Sequence, residues 1–283
     1  MTTISLLLPT RNRPALAQRF LDSVWEQAAD PSRVEVVLCI DEDDTESHAI
    51  SHPRLALAKV IGPRQSMGSL NSACLAQSKG DVVILSNDDI VVRTRGWDDK
   101  IRALHESIPD RVYLAYPNDL FKGRRLCTFP IVSRETCRLL EDPFPAAYQG
   151  AFIDYHLLDT FKRLDLRLPS SRVVYLPDVI FEHMHYRLKK GAYDETYKAR
   201  GRFLDDPVFL RLRDERSRMA TRLLATITKT GTQPLRRDRP QAAQHGWLKS
   251  LLSATLLDSE LPARWRLFLF NWFLARRIAS ALE

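Results

Sequence analysis

The sequence predicts an α/β protein built on a mostly parallel sheet that helices cover on both faces. Apolar runs alternate with amphipathic helical segments over residues 1–100. The runs are almost continuously apolar, as in strands that are buried on both faces. Polar clusters follow three of these runs, where ligands bind in such sheets, beyond the carboxyl ends of the strands.

The first half of the chain predicts a β-α-β-α-β order. An apolar strand from Ile4 to Leu8 is followed by a polar loop and by Pro14, which suits a first helical turn. Apolar residues then recur at helical spacing and predict a helix over 14–28. The later predictions are strands over 34–40, 60–62 and 82–85 and a helix over 69–78 that Gly80 closes.

The second half predicts a more mixed order. Its composition shifts to Thr, Gly, Pro, Arg and Gln between Thr228 and Gly246, which indicates a linker. We therefore divide the chain into a sheet domain (1–228), a linker (229–246) and a helical, basic and aromatic tail (247–283). Within the domain we expect a helix over 97–105, a loop that runs into a helix over 150–163, strands over 112–116, 128–132 and 173–176, and charged, mostly helical chain over 186–228.

Composition and charge exclude several classes of protein. Apolar residues make up 45% and charged residues 27%, as in ordinary globular chains. The formal net charge is +7, but residues 229–283 hold nine Lys and Arg against four Asp and Glu, which leaves +2 for the domain. A nearly neutral domain argues against nucleic acid as a partner. The four cysteines lack zinc-ligand spacing, and no basic segment precedes an apolar core at the N-terminus, so we expect a cytoplasmic protein.

The tail allows two interpretations. Its apolar run from Leu267 to Ala275 is far shorter than the ~20 residues that span a bilayer. The tail is either a helical hairpin packed on the domain or on a second copy of the chain, or a peripheral anchor at the inner face of a membrane. Buried helices are the commoner case.

An acidic pair, Asp88 and Asp89, follows the strand over 82–85. Such a pair is often only a turn or a helix N-cap. Here, however, the polar clusters Thr10 to Arg13 and Asp41 to Asp44 follow the first two strands. Parallel strands bring their carboxyl ends to one edge of the sheet. The arrangement favours Mg²⁺ or Mn²⁺ held by one carboxylate and two phosphate oxygens.

The order of these motifs resembles the nucleotide-binding half of family 2 glycosyltransferases of the GT-A fold. The resemblance covers residues 1–100 well and the region to 200 more loosely. It implies a GT-A-like sheet with a nucleotide-binding half over 1–100, an acceptor half over 101–228 and a divalent metal as cofactor. The motifs that carry it are Leu8-Pro9-Thr10-Arg11-Asn12-Arg13, the strand ending in Asp41, Gly68-Ser69-Leu70-Asn71, and Gly80-Asp81 leading to Asn87-Asp88-Asp89.

The resemblance also implies roles for individual residues. Asp41 would contact the base and Asp88 the ribose of the nucleotide. Asp89 would be the metal ligand, although the motif reads Asn-Asp-Asp rather than Asp-x-Asp and leaves the division of roles open. Arg11 or Arg13 would lie near the diphosphate. The nucleotide-binding positions matched in this way are Pro9, Thr10, Arg11, Arg13, Asp41, Asn71 and Asp88.

An inverting transfer needs a base that removes the proton of the acceptor hydroxyl. The resemblance places this base in a loop that runs into a helix, where Asp154 is the best match and Asp159 the second. Ile153 replaces an acid that the family often has there. An acid in a first helical turn is also a common stabilising feature without any catalytic role.

Two histidines and a charged segment complete the predicted site. His183 and His185 are two residues apart on extended backbone and therefore point the same way. The resemblance implies that one of them completes the metal site. Arg187, Lys190 and Tyr197 follow, either as a loop that closes on the diphosphate or as a solvated charged helix.

Together these features predict a metal-dependent, inverting glycosyltransferase. It would move one sugar from a nucleoside-diphosphate sugar to a glycan or lipid-linked acceptor, in bacterial surface glycan synthesis. Arg264-Trp265 lacks the glutamine of the Gln-x-x-Arg-Trp motif of processive members, so a single-addition enzyme of the hexosyltransferase type is expected. The alternatives are a sugar-nucleotidyltransferase and a non-catalytic protein that binds nucleotide sugars.

Overall fold

The computed structural model describes residues 1–195, 198, 201–229 and 246–282 of the 283-residue chain. The strands are β1 (Ile4–Thr10), β2 (Val34–Asp41), β3 (Ala56–Gly62), β4 (Val82–Leu85), β5 (Ile90–Val92), β6 (Leu114–Asn118), β7 (Ile131–Ser133) and β8 (Val173–His183). The helices are α1 (Pro14–Gln27), α2 (Met67–Gln77), α3 (Trp97–Ser107), α4 (Arg134–Leu140), α5 (Ile153–Asp165), α6 (Asp206–Arg211), α7 (Arg213–Ile227), α8 (Trp247–Ala254) and α9 (Ala263–Leu282).

The strands form one eight-stranded sheet with the order β3-β2-β1-β4-β7-β6-β8-β5. β1 pairs in parallel with β2 and with β4, β2 pairs in parallel with β3, and β6 pairs in parallel with β8. β7 runs antiparallel to both β4 and β6, so that β6 and β8 point the same way as β1. β5 is antiparallel to β8. The carboxyl ends of six strands therefore meet at one edge of the sheet.

The predicted α/β class and mostly parallel sheet are confirmed. The elements of the first half begin and end close to the expected positions. The predicted strand over 173–176 is wrong in length, because β8 continues to His183. Its apolar run is broken at Pro177 and Asp178, where the pairing of β8 with β6 shifts register. The short elements β5 and α4 were not predicted, since three to seven residues hold too little periodicity.

Two apolar cores lie on opposite faces of the sheet. Side chains alternate along β1, so Leu7 joins one core while Leu6 and Leu8 join the other. The core of Leu6 and Leu8 is covered by α1 and α3. The core of Leu7 is covered by α2, α5, α7 and the tail helices. Burial on both faces explains why these strands are almost continuously apolar.

Two glycines permit close approaches that position the site. A Cβ on Gly80 would lie 2.6 Å from the backbone nitrogen of Ser5, so glycine allows β4 to begin against β1. A Cβ on Gly68 would lie 2.0 Å from the carbonyl oxygen of Pro145. The first turn of α2 therefore packs directly on the segment that leads into α5.

The tail packs on the sheet domain, as the first of its two interpretations expects. Leu251 of α8 and Leu269 and Phe273 of α9 are buried in the same core as α5 and α7. The indole nitrogen of Trp265 donates a hydrogen bond of 2.8 Å to the carboxylate of Asp159 on α5. None of the described helices combines the length and the apolar character needed to cross a membrane. Most of the predicted linker over 229–246 lies outside the described residues.

Candidate functional site

A cleft of about 560 Å³ lies at the edge of the sheet where the parallel strands end. The end of β1, the end of β2 and the residues after β4 all contribute to its walls, as the three polar clusters predicted. The far wall comes from the loop after β6, the start of α5 and the end of β8. The predicted site residues that line the cleft are Pro9, Thr10, Arg11, Arg13, Asp41, Asn71, Asp88, Asp89, Asp154, His183, His185 and Arg187.

The loop after β1 is tied to the loop after β2. Arg11 Nη1 lies 2.6 Å from a carboxylate oxygen of Asp41, and the guanidinium also forms two hydrogen bonds with Asp43. The backbone of Asn12 takes a left-handed φ of 54°, and its N–H donates to Asp44. The hydrogen bond to Asp43, together with the Asp41 carboxylate, raises the pKa of Arg11 although burial opposes it. Arg11 is therefore a fixed cation at the cleft.

Hydrogen bonds also join Thr10 and Arg13, at the end of β1 and just after it, to Asp88 of the acidic pair. The Thr10 hydroxyl donates a hydrogen bond of 2.9 Å to one oxygen of Asp88, and Arg13 donates one of 3.1 Å to the other. Arg13 also pairs with Asp194 at 2.6 Å, which brings the segment after β8 to the cleft. Burial raises the pKa of Asp88 to about 6, against the lowering effect of Arg13.

Asp89 and His183 form the candidate metal site. The pairing of β5 with β8 sets His183 opposite Ile90, so that His183 Nε2 lies 3.2 Å from an oxygen of Asp89. The Met184 N–H fixes the backbone by donating to the Asp89 carbonyl. The ring of His185 lies 4.9 Å from that of His183, between centroids. Of the two predicted histidines, His183 is therefore the one beside the carboxylate.

The donor set at this position fits a divalent cation that phosphate oxygens help to hold. No group of three or more His, Cys, Asp or Glu side chains among the described residues forms a complete metal site. One carboxylate and one imidazole suit Mn²⁺, and Mg²⁺ is commonly held by one or two carboxylates together with substrate phosphates. His183 Nδ1 is buried and has no hydrogen-bond partner among the described residues.

Three further buried atoms at the cleft lack a hydrogen-bond partner within the described part of the chain. They are one carboxylate oxygen of Asp41, the amide oxygen of Asn71 and the hydroxyl of Ser86. Buried polar atoms are nearly always hydrogen-bonded, so each such exception needs an explanation. All three residues line the cleft, and a polar ligand bound there would satisfy them.

A buried carboxylate shapes the loop that presents Asp154. Asp205 is almost fully buried and accepts hydrogen bonds of 2.7–2.9 Å from the backbone N–H groups of Gln149, Gly150 and Ala151. Phe152 then takes a left-handed φ of 71°, and α5 begins at the next residue. Asp154 consequently lies in the first turn of α5 at the wall of the cleft.

The loop after β6 was missed by the sequence reasoning. Asp119 is buried, and one of its oxygens accepts from the backbone N–H groups of Phe121, Lys122 and Gly123. The other oxygen accepts from the Thr128 hydroxyl. Phe121 and Lys122 line the cleft. The polar pair Asn118-Asp119 at the end of β6 was the available signal, since the rule used for the other strand ends applies equally there.

Two of the proposed positions do not line the cleft, and a third lies outside the described residues. Lys190 forms an ion pair of 2.5 Å with Glu182 and does not line the cleft. Asp159, the second candidate base, is fully buried between Arg163 and Arg216. Tyr197 lies outside the described residues.

Comparisons with known proteins support the fold. Comparison with protein-family models gives no match, and neither does comparison with curated protein sequences. The mannosyltransferase PcManGT from Pyrobaculum calidifontis, solved with GDP-Man and Mn²⁺, matches at 17% identity and a TM-score of 0.51, over 98% of this chain and 86% of that one. TarS from S. aureus matches at 14% identity and a TM-score of 0.54, over 98% of this chain and 53% of that one.

Residues 1–349 of S. aureus TarS, solved with UDP-GlcNAc, match at 14% identity and a TM-score of 0.53. That match covers 93% of this chain and 82% of the other. Identities this low compare folds only. The predicted GT-A-like sheet flanked by helices, with a helical C-terminal extension, is confirmed.

Proposed function

We propose that this protein is a metal-dependent, inverting glycosyltransferase related to family 2. It moves one hexose from a nucleoside-diphosphate sugar to a hydroxyl of a glycan or lipid-linked acceptor. The observation that carries the proposal is the convergence of Asp41, Asp88, Asp89, His183 and Asp154 on one cleft. The neighbours of the same fold were solved with GDP-Man and Mn²⁺ and with UDP-GlcNAc.

The donor would lie on the wall built by β1, β2 and β4. Asp41 would offer to the base an oxygen that has no hydrogen-bond partner among the described residues, and Asp88 would contact the ribose. Asp89 and His183 would hold Mn²⁺ or Mg²⁺, which supplies positive charge against the leaving diphosphate. Arg11 and Arg13 would add fixed positive charge at the same wall.

Asp154 would act as the base on the opposite wall. Its position in the first turn of α5, among the residues that line the cleft with the acidic pair, supports this role. There it would take the proton of the acceptor hydroxyl while that oxygen attacks the anomeric carbon, with inversion. Asp205 would hold the loop that aims it. We place the reaction in the cytoplasm, in bacterial surface glycan synthesis, with one sugar added per binding event.

The test is a donor screen read by product mass. The protein is incubated with UDP- and GDP-sugars, with and without Mn²⁺, and with a mixture of glycan acceptors. We expect a metal-dependent transfer product with one donor. A nucleoside-diphosphate sugar made from a sugar phosphate and a nucleoside triphosphate would instead identify a nucleotidyltransferase, and binding without any turnover would identify a binding protein.

The variant Asp154→Asn sharpens this test. We expect it to bind the donor like the unaltered protein while transfer falls about 100-fold or more, because general-base catalysis contributes about that much. Asp99→Asn is a matched control, since Asp99 is an exposed acid in the first turn of α3. Transfer by Asp154→Asn at the rate of this control would remove Asp154 from the chemistry.

A further inference from the structure

Three cations in the loop after β6 and the segment after β8 have no acidic partner among the residues that the structure describes. Lys122 Nζ lies 4.4 Å from the centre of the Phe121 ring, Arg125 donates to two backbone carbonyl groups, and Arg187 donates to the Tyr186 hydroxyl. Within the described part of the chain, no carboxylate forms an ion pair with any of these three cations. The arginines of the donor wall differ, since Arg11 and Arg13 are each paired with two carboxylates.

The three cations form one cluster, defined by the influence of Arg187 and Arg125 on Lys122, and two of its members lie at the cleft. Burial lowers the pKa of Lys122, and the fields of Arg187 and Arg125 lower it further, while Asp119 and Asp154 oppose them. Arg125 also acts on Tyr155, the neighbour of Asp154 in α5. Lys122 and Arg187 line the cleft together with Asp154. Like charges held this close are unfavourable unless an anion joins them.

The cluster stands on a rigid support. Asp119 holds three consecutive backbone N–H groups of the loop that bears Lys122 and Arg125. The Asp119 carbonyl oxygen accepts from the N–H of His183, which links this loop to the end of β8 just before Arg187. Buried contacts therefore fix the backbone of the loop that bears Lys122 and Arg125, while the side chains of Arg125 and Arg187 are exposed to solvent.

We infer, on the basis of the proposed glycosyl transfer, that Lys122 and Arg187, the two members of the cluster that line the cleft, bind a phosphate group of the acceptor. The acceptor is thus a phosphate-bearing glycan or glycan precursor, whose hydroxyl the anchored phosphate presents to Asp154. This assigns Arg187 to the acceptor instead of the donor diphosphate. A donor phosphate has the same chemistry, so the test must separate the two sources.

Inorganic phosphate is the probe for the first measurement. It is titrated by calorimetry into the full chain saturated with Mg²⁺ and UDP, or with Mg²⁺ and GDP, so that the diphosphate position is filled. We expect phosphate to bind the unaltered protein and to bind Lys122→Ala about tenfold or more weakly, the effect of losing one charge-assisted contact. Lys122→Arg should retain most of the binding.

Arg124→Ala is the matched control, because Arg124 lies in the same loop but stacks on Tyr175 at 5.1 Å. It should bind phosphate normally, and all variants should bind nucleotide equally well. Phosphate that binds only the nucleotide-free protein would assign the cluster to the donor and overturn the inference. A protein that binds no nucleotide at all would defeat the proposed function, while the phosphate titration would still report on the cluster.

The second measurement compares matched acceptors, glucose 6-phosphate and methyl glucoside. With the donor that the screen identifies, we expect kcat/KM to favour the phosphorylated sugar in the unaltered protein and in Arg124→Ala. In Lys122→Ala this preference should fall about tenfold or more. Equal use of the two acceptors by the unaltered protein would overturn the inference.

Discussion

Two clusters of buried Asp and Arg side chains occupy different regions of this molecule, and they differ in what their carboxylates touch. In the cleft, one oxygen of Asp41 is buried without a hydrogen-bond partner among the described residues. In the cluster between α5 and the tail, both oxygens of Asp159 are bonded, to Arg163 and Arg216 on one side and to Trp265 on the other.

Asp258 in the tail cluster is satisfied in the same way. Its oxygens accept from Arg163 and Arg213, and the Glu260 backbone N–H donates to one of them. The same residue types thus serve two purposes. Where every carboxylate oxygen has a protein partner, the charges fix one element on another. Where a buried oxygen at the cleft has no such partner among the described residues, it is available to bind a ligand.

The largest effect is expected from breaking the tail cluster with Asp159→Asn. The variant leaves Arg163 and Arg216 buried beside a neutral group, which costs about 3–5 kcal/mol of unfolding free energy. The measurement is urea denaturation followed by circular dichroism. Protein that remains folded should still bind nucleotide, because Asp159 does not line the cleft.

Glu135→Gln is the control for this loss. Glu135 forms an ion pair with Arg138 three residues later on a helix, as Asp159 does with Arg163 four residues later, but that pair is exposed. Its removal should change the unfolding free energy by less than about 1 kcal/mol. Equal effects of the two substitutions would mean that burial does not distinguish the clusters.

In the cleft, Asp89→Asn is expected to reduce activity while leaving the stability of the fold nearly unchanged. Sugar transfer should fall about 100-fold or more, because the metal ion that this carboxylate would hold stabilises several kcal/mol of charge in the transition state. The unfolding free energy should change little. The measurement is a transfer assay at saturating donor over a range of Mn²⁺ concentrations.

Asp81→Asn is the matched control, since Asp81 is an exposed carboxylate at the other end of the same strand, where it accepts from Thr3. It should transfer sugar at the unaltered rate. An Asp89→Asn protein with the same metal dependence as this control would exclude Asp89 as the ligand.

The comparison also separates what sequence can and cannot predict here. The strand ends at Thr10, Asp41 and Asp88 were identified because short-range periodicity locates strands, and parallel strands end at one edge. No sequence pattern linked Asp119 to Lys122 or Asp205 to Gly150, because those contacts depend on how loops close. The contact of His183 with Asp89 depends on β5, a strand of three residues that carries no periodic signal.

The packing of the tail depends even more strongly on contacts that no sequence pattern predicts. Its basic and aromatic composition allowed packing on the domain, on a second copy of the chain or on a membrane. The contacts that join it to the domain are Trp265 with Asp159 and Arg163 with Asp258. These pairs are 106 and 95 residues apart in the chain. Aromatic stacking adds to them, with Tyr155 and Trp272 4.5 Å apart between ring centres. Such long-range pairing cannot be derived from the composition of either partner alone.

A smaller effect is expected from Asp41→Asn, which tests the meaning of the unpartnered oxygen. If that oxygen serves a nucleotide, UDP or GDP should bind about tenfold more weakly, the worth of one hydrogen bond to a charged group. The unfolding free energy should stay the same or rise slightly. The measurement is calorimetric titration of the nucleotide in the presence of Mg²⁺.

Asp43→Asn serves as its control, because Asp43 pairs with the same Arg11 but is exposed. Nucleotide binding by this variant should stay within about threefold of the unaltered protein, since an exposed ion pair contributes little. If both variants lost the same affinity, the effect would arise from Arg11 and not from the buried oxygen of Asp41.

The smallest expected effect is the dependence of the unfolding free energy on acidic pH, and it arises in the buried region beside the tail. His156 is fully buried, with its ring 3.0 Å from the Tyr148 hydroxyl and 3.4 Å from Met219 Sδ. Burial, together with the cations Arg216 and Arg163, lowers the pKa of His156 well below its ordinary value of 6.5. In the unfolded chain this histidine binds a proton near pH 6.5, whereas in the folded chain it stays neutral at that pH. Its contribution to the free energy of unfolding is therefore fully present above pH 6.5 and declines below it.

The slope from this residue can reach about 1.4 kcal/mol per pH unit, down to the pKa of the folded state. Urea denaturation between about pH 7.5 and pH 5.5 measures it in the unaltered protein and in His156→Gln, which cannot take up the proton. We expect a shallower slope in His156→Gln than in His52→Gln, a control at a histidine outside α5 that lies near Trp25 and 3.7 Å from the carboxylate of Asp22. Parallel slopes in the two variants would show that the acid sensitivity arises elsewhere, and the buried α5 region would then be no more sensitive to acid than the rest of the molecule.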